Sequence, residues 1–190
     1  MFAAVLDTCV LWPSLQRDII LTLAAHRFFK PLWSIEILEE LEFHETRKLI
    51  DHGIPSQAAE LRAQRLVKKM KMHFPNSVVL GTGSFAIQEE LPDPDDAHVL
   101  AAAILGNAGA IVTDNIKHFP NALMPSYITT KSSRDFLADA IGVDPQQAFM
   151  AICKMSDRYM NPRYDVEDII ELLEERYKAI EAAELLRAVL

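Results

Sequence analysis

LPDPDDAHVLAAAILGNAGAIVTDN, residues 91–115, is the stretch that decides the predicted fold of this chain. It opens with a loop that carries three aspartates, Asp93, Asp95 and Asp96. Residues 97–105 are apolar and alanine-rich, which predicts a short helix, and the glycines at 106 and 109 end it. The apolar run 110–112 then predicts a buried strand, which Thr113 and Asp114 follow. Acidic side chains thus stand at a helix start and at a strand end, where open α/β folds place their sites.

Outside this stretch, short apolar runs alternate with longer segments of helical periodicity. Further strands are predicted at 2–6, 30–33, 76–80 and 126–130. Helices are predicted at 17–29, after Ser34, at 56–73, 132–141 and 145–159, with breaks at 81–95 and at Asn161-Pro162. A single final helix is predicted over 166–190, because an apolar stripe runs along it at Val166, Ile170, Leu173, Tyr177 and Ile180. Strands that alternate with helices predict an α/β fold with a parallel sheet.

Composition limits the class of protein. The 190 residues are 50% hydrophobic, enough for one good core, and no apolar run approaches the roughly 18 residues that span a membrane. No basic region of a signal peptide precedes the first apolar run, and Cys9 and Cys153 form no metal motif or disulfide framework. We therefore expect a cytoplasmic protein with one domain over residues 1–141 and a C-terminal helical extension packed on it over residues 142–190.

Charge is distributed unevenly along the chain, whose formal net charge is −8. Seven bases and three acids lie between residues 44 and 74, whereas eight acids and three bases lie between residues 165 and 190. A basic segment can bind a polyanion such as RNA, and Arg65, Lys68 and Lys69 are its candidate contacts. A solvated helix face is the simpler explanation of the same pattern.

Acidic residues also end or flank other predicted elements. Asp7 ends the first strand, and a later helix carries Glu39, Glu40 and Glu42. In a doubly wound fold these acids and those of residues 91–115 can meet at one strand-end crevice, where their charges repel. A hard divalent cation removes that conflict, and oxygen ligands favour Mg²⁺ or Mn²⁺ over Zn²⁺. Taken singly, each acid has a plain structural explanation as a turn residue or a helix cap.

Other catalytic motifs are absent from the sequence. It has no glycine-rich dinucleotide-binding turn, no P-loop, no G-x-S-x-G elbow and no H-E-x-x-H pair. A phosphoaspartyl hydrolase is disfavoured, because its motif resembles D-x-D and Cys9 stands two residues after Asp7. The acids therefore carry the functional prediction.

Four segments stand in a recognisable order: VLDTCVLWP, WSIEILEEL, LPDPDDAHVLAAAI and IVTDNIKHFP. Their order and spacing resemble those of a PIN domain, and of its VapC-like branch, the ribonuclease toxins of toxin–antitoxin pairs. The resemblance covers about residues 1–136 and implies a parallel sheet between helices with a divalent-metal ribonuclease site. It implies that Asp7, Glu40 and Asp96 are the first three acids of that site, with Asp93 as an accessory acid.

The sequence departs from the family's pattern at three positions. Cys9 stands where the family often has Asn, which predicts the loss of a hydrogen bond near the first acid. The family's T-x-D or T-x-N, counted from Thr113, puts the fourth position at Asn115 and leaves Asp114 between them. We favour Asp114 as the fourth ligand, because its charge attracts a cation. His118 stands where an Asp often precedes Phe.

The residues and the resemblance together predict a divalent-metal-dependent endoribonuclease. Mg²⁺ or Mn²⁺ would be held by Asp7, Glu40, Asp96 and Asp114, with Thr113 and Asn115 beside them. The expected partners are an RNA substrate and an antitoxin protein; spare leucines at 185, 186 and 190 predict packing on a second subunit or on that antitoxin. Two alternatives stay open: a PIN-like RNA-binding or scaffold protein without useful nuclease activity, and a metal-dependent phosphohydrolase of a small molecule.

Overall fold

A four-stranded parallel sheet forms the centre of the protein. The computed structural model describes residues 1–85, 87, 91–160 and 162–190. The strands are β1 (Ala3–Leu6), β2 (Lys30–Leu32), β3 (Ala110–Val112) and β4 (Thr129–Lys131), in the spatial order β2-β1-β3-β4. The two central strands are short apolar runs, almost wholly buried, as expected for strands of a parallel sheet covered by helices. The predicted α/β fold with a parallel sheet is confirmed.

Helices connect the strands and continue beyond them. The described ones are α1 (Thr8–Leu11), α2 (Ser14–Ala25), α3 (Ile35–Asp51), α4 (Ser56–His73), α5 (Ala97–Leu105), α6 (Ser133–Val143), α7 (Pro145–Ser156), α8 (Val166–Glu175) and α9 (Ile180–Arg187). Hydroxyl caps set two of the starts, because Ser34 accepts a hydrogen bond from the Ile37 N–H (3.0 Å) and Ser132 from the Asp135 N–H (3.2 Å). In the described part of the chain, no helix combines the length and the apolar character that crossing a membrane requires.

The core joins the sheet to helices from both ends of the chain. α5 packs on β1 and β3, and α2 packs on β2. Trp33 and Phe119 are fully buried, and Phe29, after α2, meets Phe136 of α6 edge-on with ring centroids 4.7 Å apart. α7 packs on α2, and α9 packs on α6 and α8. The C-terminal helices therefore cover the body that holds the sheet; the division at residues 141 and 142 stays a prediction.

Near the sheet, the structure differs from the prediction at two places. Residues 76–80 form no strand in the described structure and contribute only a parallel bridge between Val78 and Trp33. The short α1, which starts directly after Asp7, was not expected from the sequence. The break predicted at 81–95 includes residues 86 and 88–90, and the break at Asn161-Pro162 includes Asn161; these residues lie outside those described.

The predicted single helix over 166–190 is wrong, because the chain turns between α8 and α9. Lys178 adopts a positive φ of 56°, and the Ala179 N–H donates to the Leu173 carbonyl oxygen at 2.9 Å. This turn folds α9 back onto α6 and α8.

The turn also changes the environment of the spare leucines. Leu186 is fully buried inside the chain, Leu185 packs partly buried against the core, and Leu190 is exposed. Leu186 is thus no surface for a second subunit or an antitoxin, contrary to the prediction.

Candidate functional site

The carboxyl ends of the two central strands bring Asp7 and Thr113 together. Leu6 of β1 is paired with Val112 of β3, so the residues that follow them lie side by side. The Thr113 hydroxyl donates to Asp7 Oδ2 at 2.6 Å, and Asp7 is only 5% exposed. Asp7 is therefore held in one orientation at the edge of the sheet.

Cys9 supports the same carboxylate. Its thiol donates to Asp7 Oδ2 at 3.0 Å, and the Asp114 N–H donates to the Cys9 sulfur at 3.3 Å. Burial, reinforced by the negative charge of Asp7, raises the pKa of Cys9 to about 12. The predicted loss of a hydrogen bond at this position is wrong, because a protonated thiol supplies the donor.

Glu40 reaches the site from α3. Oε2 accepts a 2.6 Å hydrogen bond from the Thr8 hydroxyl, one residue beyond Asp7. Oε1 lies 3.2 Å from His98 Nε2 on α5. His98 is nearly buried and positions the Glu40 carboxylate. Two elements thus orient Glu40 beside the end of β1.

Asp93, Asp96 and His118 form the tightest cluster of candidate ligands among the described residues. Each offers one ligand atom, and these atoms all lie within 4.8 Å of one another. His118 Nδ1 is 2.6 Å from Asp96 Oδ2 and 3.7 Å from Asp93 Oδ2. His118 was noted from the sequence only as a departure from the family pattern. Its place in the cluster depends on the 3-10 turn at Ile116–His118, which no sequence pattern predicts.

The surroundings of Asp96 shift its pKa. Burial raises its pKa above the ordinary 3.8, and the charges of Asp7 and Asp93 raise it further, against the lowering effect of His118. Its side chain makes no capping hydrogen bond to α5, so a cap role has no support in the structure. The charge of Asp7 thus acts on the Asp93–Asp96–His118 cluster, although neither Asp7 nor Glu40 belongs to the described 4.8 Å group.

Asp114 points to α6. Its Oδ1 accepts from the Ser133 N–H at 2.9 Å, and its Oδ2 lies 3.0 Å from the Ser133 hydroxyl, which donates to it. Asn115 is exposed and donates its backbone N–H to the Thr113 hydroxyl at 3.0 Å. Both residues come shortly after the end of β3. The choice of Asp114 over Asn115 as the fourth ligand stays a prediction.

The donor set suits a hard divalent cation. The charges of Asp7 and Asp93 raise the pKa of Asp96, a positive ion would relieve that repulsion, and most of the donors are oxygens. The imidazole of His118 adds a nitrogen, which Mn²⁺ accepts more readily than Mg²⁺ does. Arg65, Lys68 and Lys69 are exposed on α4.

The parallel sheet with acids at its carboxyl edge is the architecture of a PIN domain. The PIN domain family model matches residues 3–117, more than half of the chain, so the chain belongs to the PIN-domain family. The model of the VapC50 C-terminal domain matches residues 135–188. The VapC-like resemblance seen in the four sequence segments is confirmed.

One curated relative is similar to this chain over part of its length. It is the Mycobacterium tuberculosis (strain ATCC 25618 / H37Rv) protein called "Putative ribonuclease VapC50", 38% identical over 82 residues. Those residues are 43% of this chain and 48% of the relative, so the match spans about half of the relative's length. No solved structure matches the chain.

Proposed function

We propose that this chain is a divalent-metal-dependent endoribonuclease, the toxin of a toxin–antitoxin pair. The observation that supports this most directly is the acidic edge of the sheet of a PIN-domain protein, where Thr8, next to Asp7, is hydrogen-bonded to Glu40 and the charge of Asp7 raises the pKa of Asp96. The name of the relative, a ribonuclease, supports the same activity. The antitoxin, the RNA substrate and the cytoplasmic location are part of the proposal.

In this proposal the chain's own residues orient and separate the ligand groups. Thr113 and Cys9 both donate hydrogen bonds to Asp7 Oδ2. Thr8 and His98 hold the two oxygens of Glu40, and His118 holds Asp96. The chemistry that a bound Mg²⁺ or Mn²⁺ supplies is activation of a water molecule and neutralisation of charge on the phosphodiester.

The exposed bases of α4 are the proposed contacts for the RNA backbone. Arg65, Lys68 and Lys69 changed together to Ala should weaken RNA binding, because each phosphate contact releases counterions. The slope of log affinity against log salt should fall by about 0.7 per lost contact with single-stranded RNA, measured by fluorescence anisotropy. An unchanged affinity and slope would show that this segment is a solvated helix face.

Cleavage is tested on a mixed RNA pool with Mg²⁺, with Mn²⁺ and with EDTA. The wild-type protein should shorten RNA only with metal, and Asp7→Asn and Asp96→Asn should abolish the cleavage. Asp95→Asn is the matched control, because Asp95 adjoins Asp96 but is exposed and lies outside the 4.8 Å group. Metal-independent cleavage, or equal activity in all four proteins, would refute the catalytic proposal. RNA binding without cleavage would favour the scaffold alternative.

A further inference from the structure

An open groove of about 1300 Å³ separates the PIN-domain body from the C-terminal helices. One wall is formed by the end of α1 and the second half of α3, with Trp12 and Phe43. The other is formed by the segment before α8 and the end of α8, with Tyr164, Arg176 and Tyr177. The C-terminal extension is therefore needed to form the groove.

Aromatic rings in the groove are open to solvent. Trp12 is 42% exposed and Phe43 is 58% exposed. The Trp12 indole N–H donates to the His44 carbonyl oxygen at 3.4 Å, which fixes the ring against α3. Exposed rings held in this way offer faces on which planar groups can stack.

Three cations lie over these rings. Arg47 lies 5.9 Å from the centroid of Phe43, Lys48 lies 5.8 Å from that of Trp12, and Arg176 lies 5.6 Å from that of Tyr177. Each of these pairs places a stacking face beside a positive charge.

The groove is locally positive in a chain of net charge −8. A fourth cation, Arg62 of α4, also lines it. Among the described residues, no carboxylate oxygen lies within 4.0 Å of Arg47, Arg62 or Arg176. Two acids, Asp51 and Glu45, share the lining, and Glu45 is already paired with a buried arginine and with Lys48. A polyanion would find unpaired positive charge here.

The groove continues from the candidate metal site. Phe43 and His44 stand three and four residues after Glu40 on α3, and Trp12 stands four residues after Thr8. Residues so spaced on a helix are about 5–6 Å apart at Cβ. Because Thr8 and Glu40 are hydrogen-bonded to each other, the groove begins one helical turn from the acids.

We propose that this groove binds an unpaired RNA segment next to the phosphodiester that is cut. Its bases stack on Trp12 and Phe43, and its phosphates meet Arg47, Arg62 and Arg176. A duplex hides its base faces, whereas every unpaired nucleotide carries both a planar face and a charge. An acidic peptide matches the cations but does not carry a planar group beside each of its charges. The inference rests on the proposed ribonuclease function and adds to it the place where the RNA strand lies, beside the candidate metal site.

The test measures binding of a fluorescein-labelled oligouridine by anisotropy, in EDTA so that no RNA is cut. Phe43→Ala should weaken binding about tenfold with little change in the salt slope, because stacking carries no charge. Arg62→Ala should lower the slope by about 0.7, because it removes one phosphate contact.

Two variants serve as matched controls and should bind like the wild type. Lys154 is exposed on α7, rather than on α4, and lies outside the lining of the groove, so Lys154→Ala removes the same charge from another surface. Tyr127 is exposed before β4, so Tyr127→Ala removes an aromatic ring outside the groove.

The outcomes separate this inference from the proposed function. Equal binding by Phe43→Ala, Arg62→Ala and both controls would overturn the inference and leave the groove to a protein partner, while cleavage by the wild type with Mn²⁺ would still stand. Preference for a duplex of the same length would also overturn it. Groove-dependent binding in a protein that cleaves no RNA would uphold strand binding in the groove and refute the ribonuclease.

Discussion

At the scale of single residues, Cys9 supplies a hydrogen bond to the first acid at a position where the family often has Asn. The thiol donates to Asp7 and receives the Asp114 N–H, so its proton is part of the network around the first acid. The sequence could identify the position, but not the donor geometry that a thiol achieves there.

The raised pKa of Cys9 predicts low reactivity. A pKa of about 12, against the ordinary 9.0, leaves roughly a thousandfold less thiolate near neutral pH. Burial also raises the pKa of Cys153 on α7, but less than that of Cys9, so iodoacetamide should modify Cys153 before Cys9 in the folded protein. Peptide mass spectrometry measures both rates, and labelling in urea, where the rates should converge, is the control. Faster labelling of Cys9 in the folded protein would contradict this protonation state.

Asp114 carries a prediction of two separable effects. Asp114→Ala should cost about 1 kcal/mol of stability, because α6 loses a partner at its start, and should also weaken Mn²⁺ binding if Asp114 is the fourth ligand. Ser133→Ala is the control, since it removes one hydrogen bond to Asp114 without touching a ligand group. Urea unfolding and Mn²⁺ titration measure the two effects. Unchanged Mn²⁺ affinity in Asp114→Ala, beside lost affinity in Asn115→Ala, would make Asn115 the ligand.

At the scale of elements, the sequence was most informative where local signals and packing agree. The strand at Ala110–Val112 and the helix at Ala97–Leu105 have the predicted bounds. The turn between α8 and α9 was missed, because residues 176–179 contain neither Gly nor Pro and the apolar stripe continues through them. Burial of Leu186 against the body outweighs the local helical preference.

The positive φ of Lys178 makes that turn testable. Lys178→Gly should stabilise the protein by about 1 kcal/mol, because a side chain in the left-handed region is strained and glycine is not. Lys154→Gly, inside α7, is the control and should destabilise it by about the same amount. Urea unfolding of both variants measures the effect. A loss of stability in Lys178→Gly would favour the continuous helix.

At the scale of the whole molecule, the site exists only because the sheet assembles distant segments. The sequence predicted that Asp7, Glu40 and Asp96 converge at one edge. In the structure the charge of Asp7 acts on Asp96 and Thr8 is hydrogen-bonded to Glu40, while the role of the three acids as ligands stays a prediction. The sequence did not predict that His118 joins Asp96, since that contact depends on the conformation of a loop after β3.

We expect the ionised Asp96 carboxyl to lower the stability of the metal-free protein and to raise the stability of the protein with bound metal. Because its folded pKa is raised, the ionised carboxyl destabilises the metal-free protein above that pKa, and the effect vanishes below the ordinary 3.8. Asp96→Asn should thus be more stable than the wild type without metal, by a margin that grows as pH rises from 3.8. With Mn²⁺ the wild-type Tm should rise and that of Asp96→Asn should rise less.

Thermal melts at several pH values, with EDTA and with Mn²⁺, measure both effects. Asp95→Asn should follow the wild type throughout. A wild-type Tm that ignores Mn²⁺, or an Asp96→Asn protein that is less stable than the wild type at every pH, would contradict the metal site.

The long sequence separation between β1 and β3 also determines when these two strands can pair during synthesis. Asp7 is 106 residues from Thr113, its hydrogen-bond partner at the end of β3. A ribosome that adds about 5–20 residues per second needs about 5–20 s to cross that interval. During this time β1 can pair with β2 but not with β3, and Asp7 lacks its threonine. The nascent chain is therefore without a complete acidic edge until most of it has been translated.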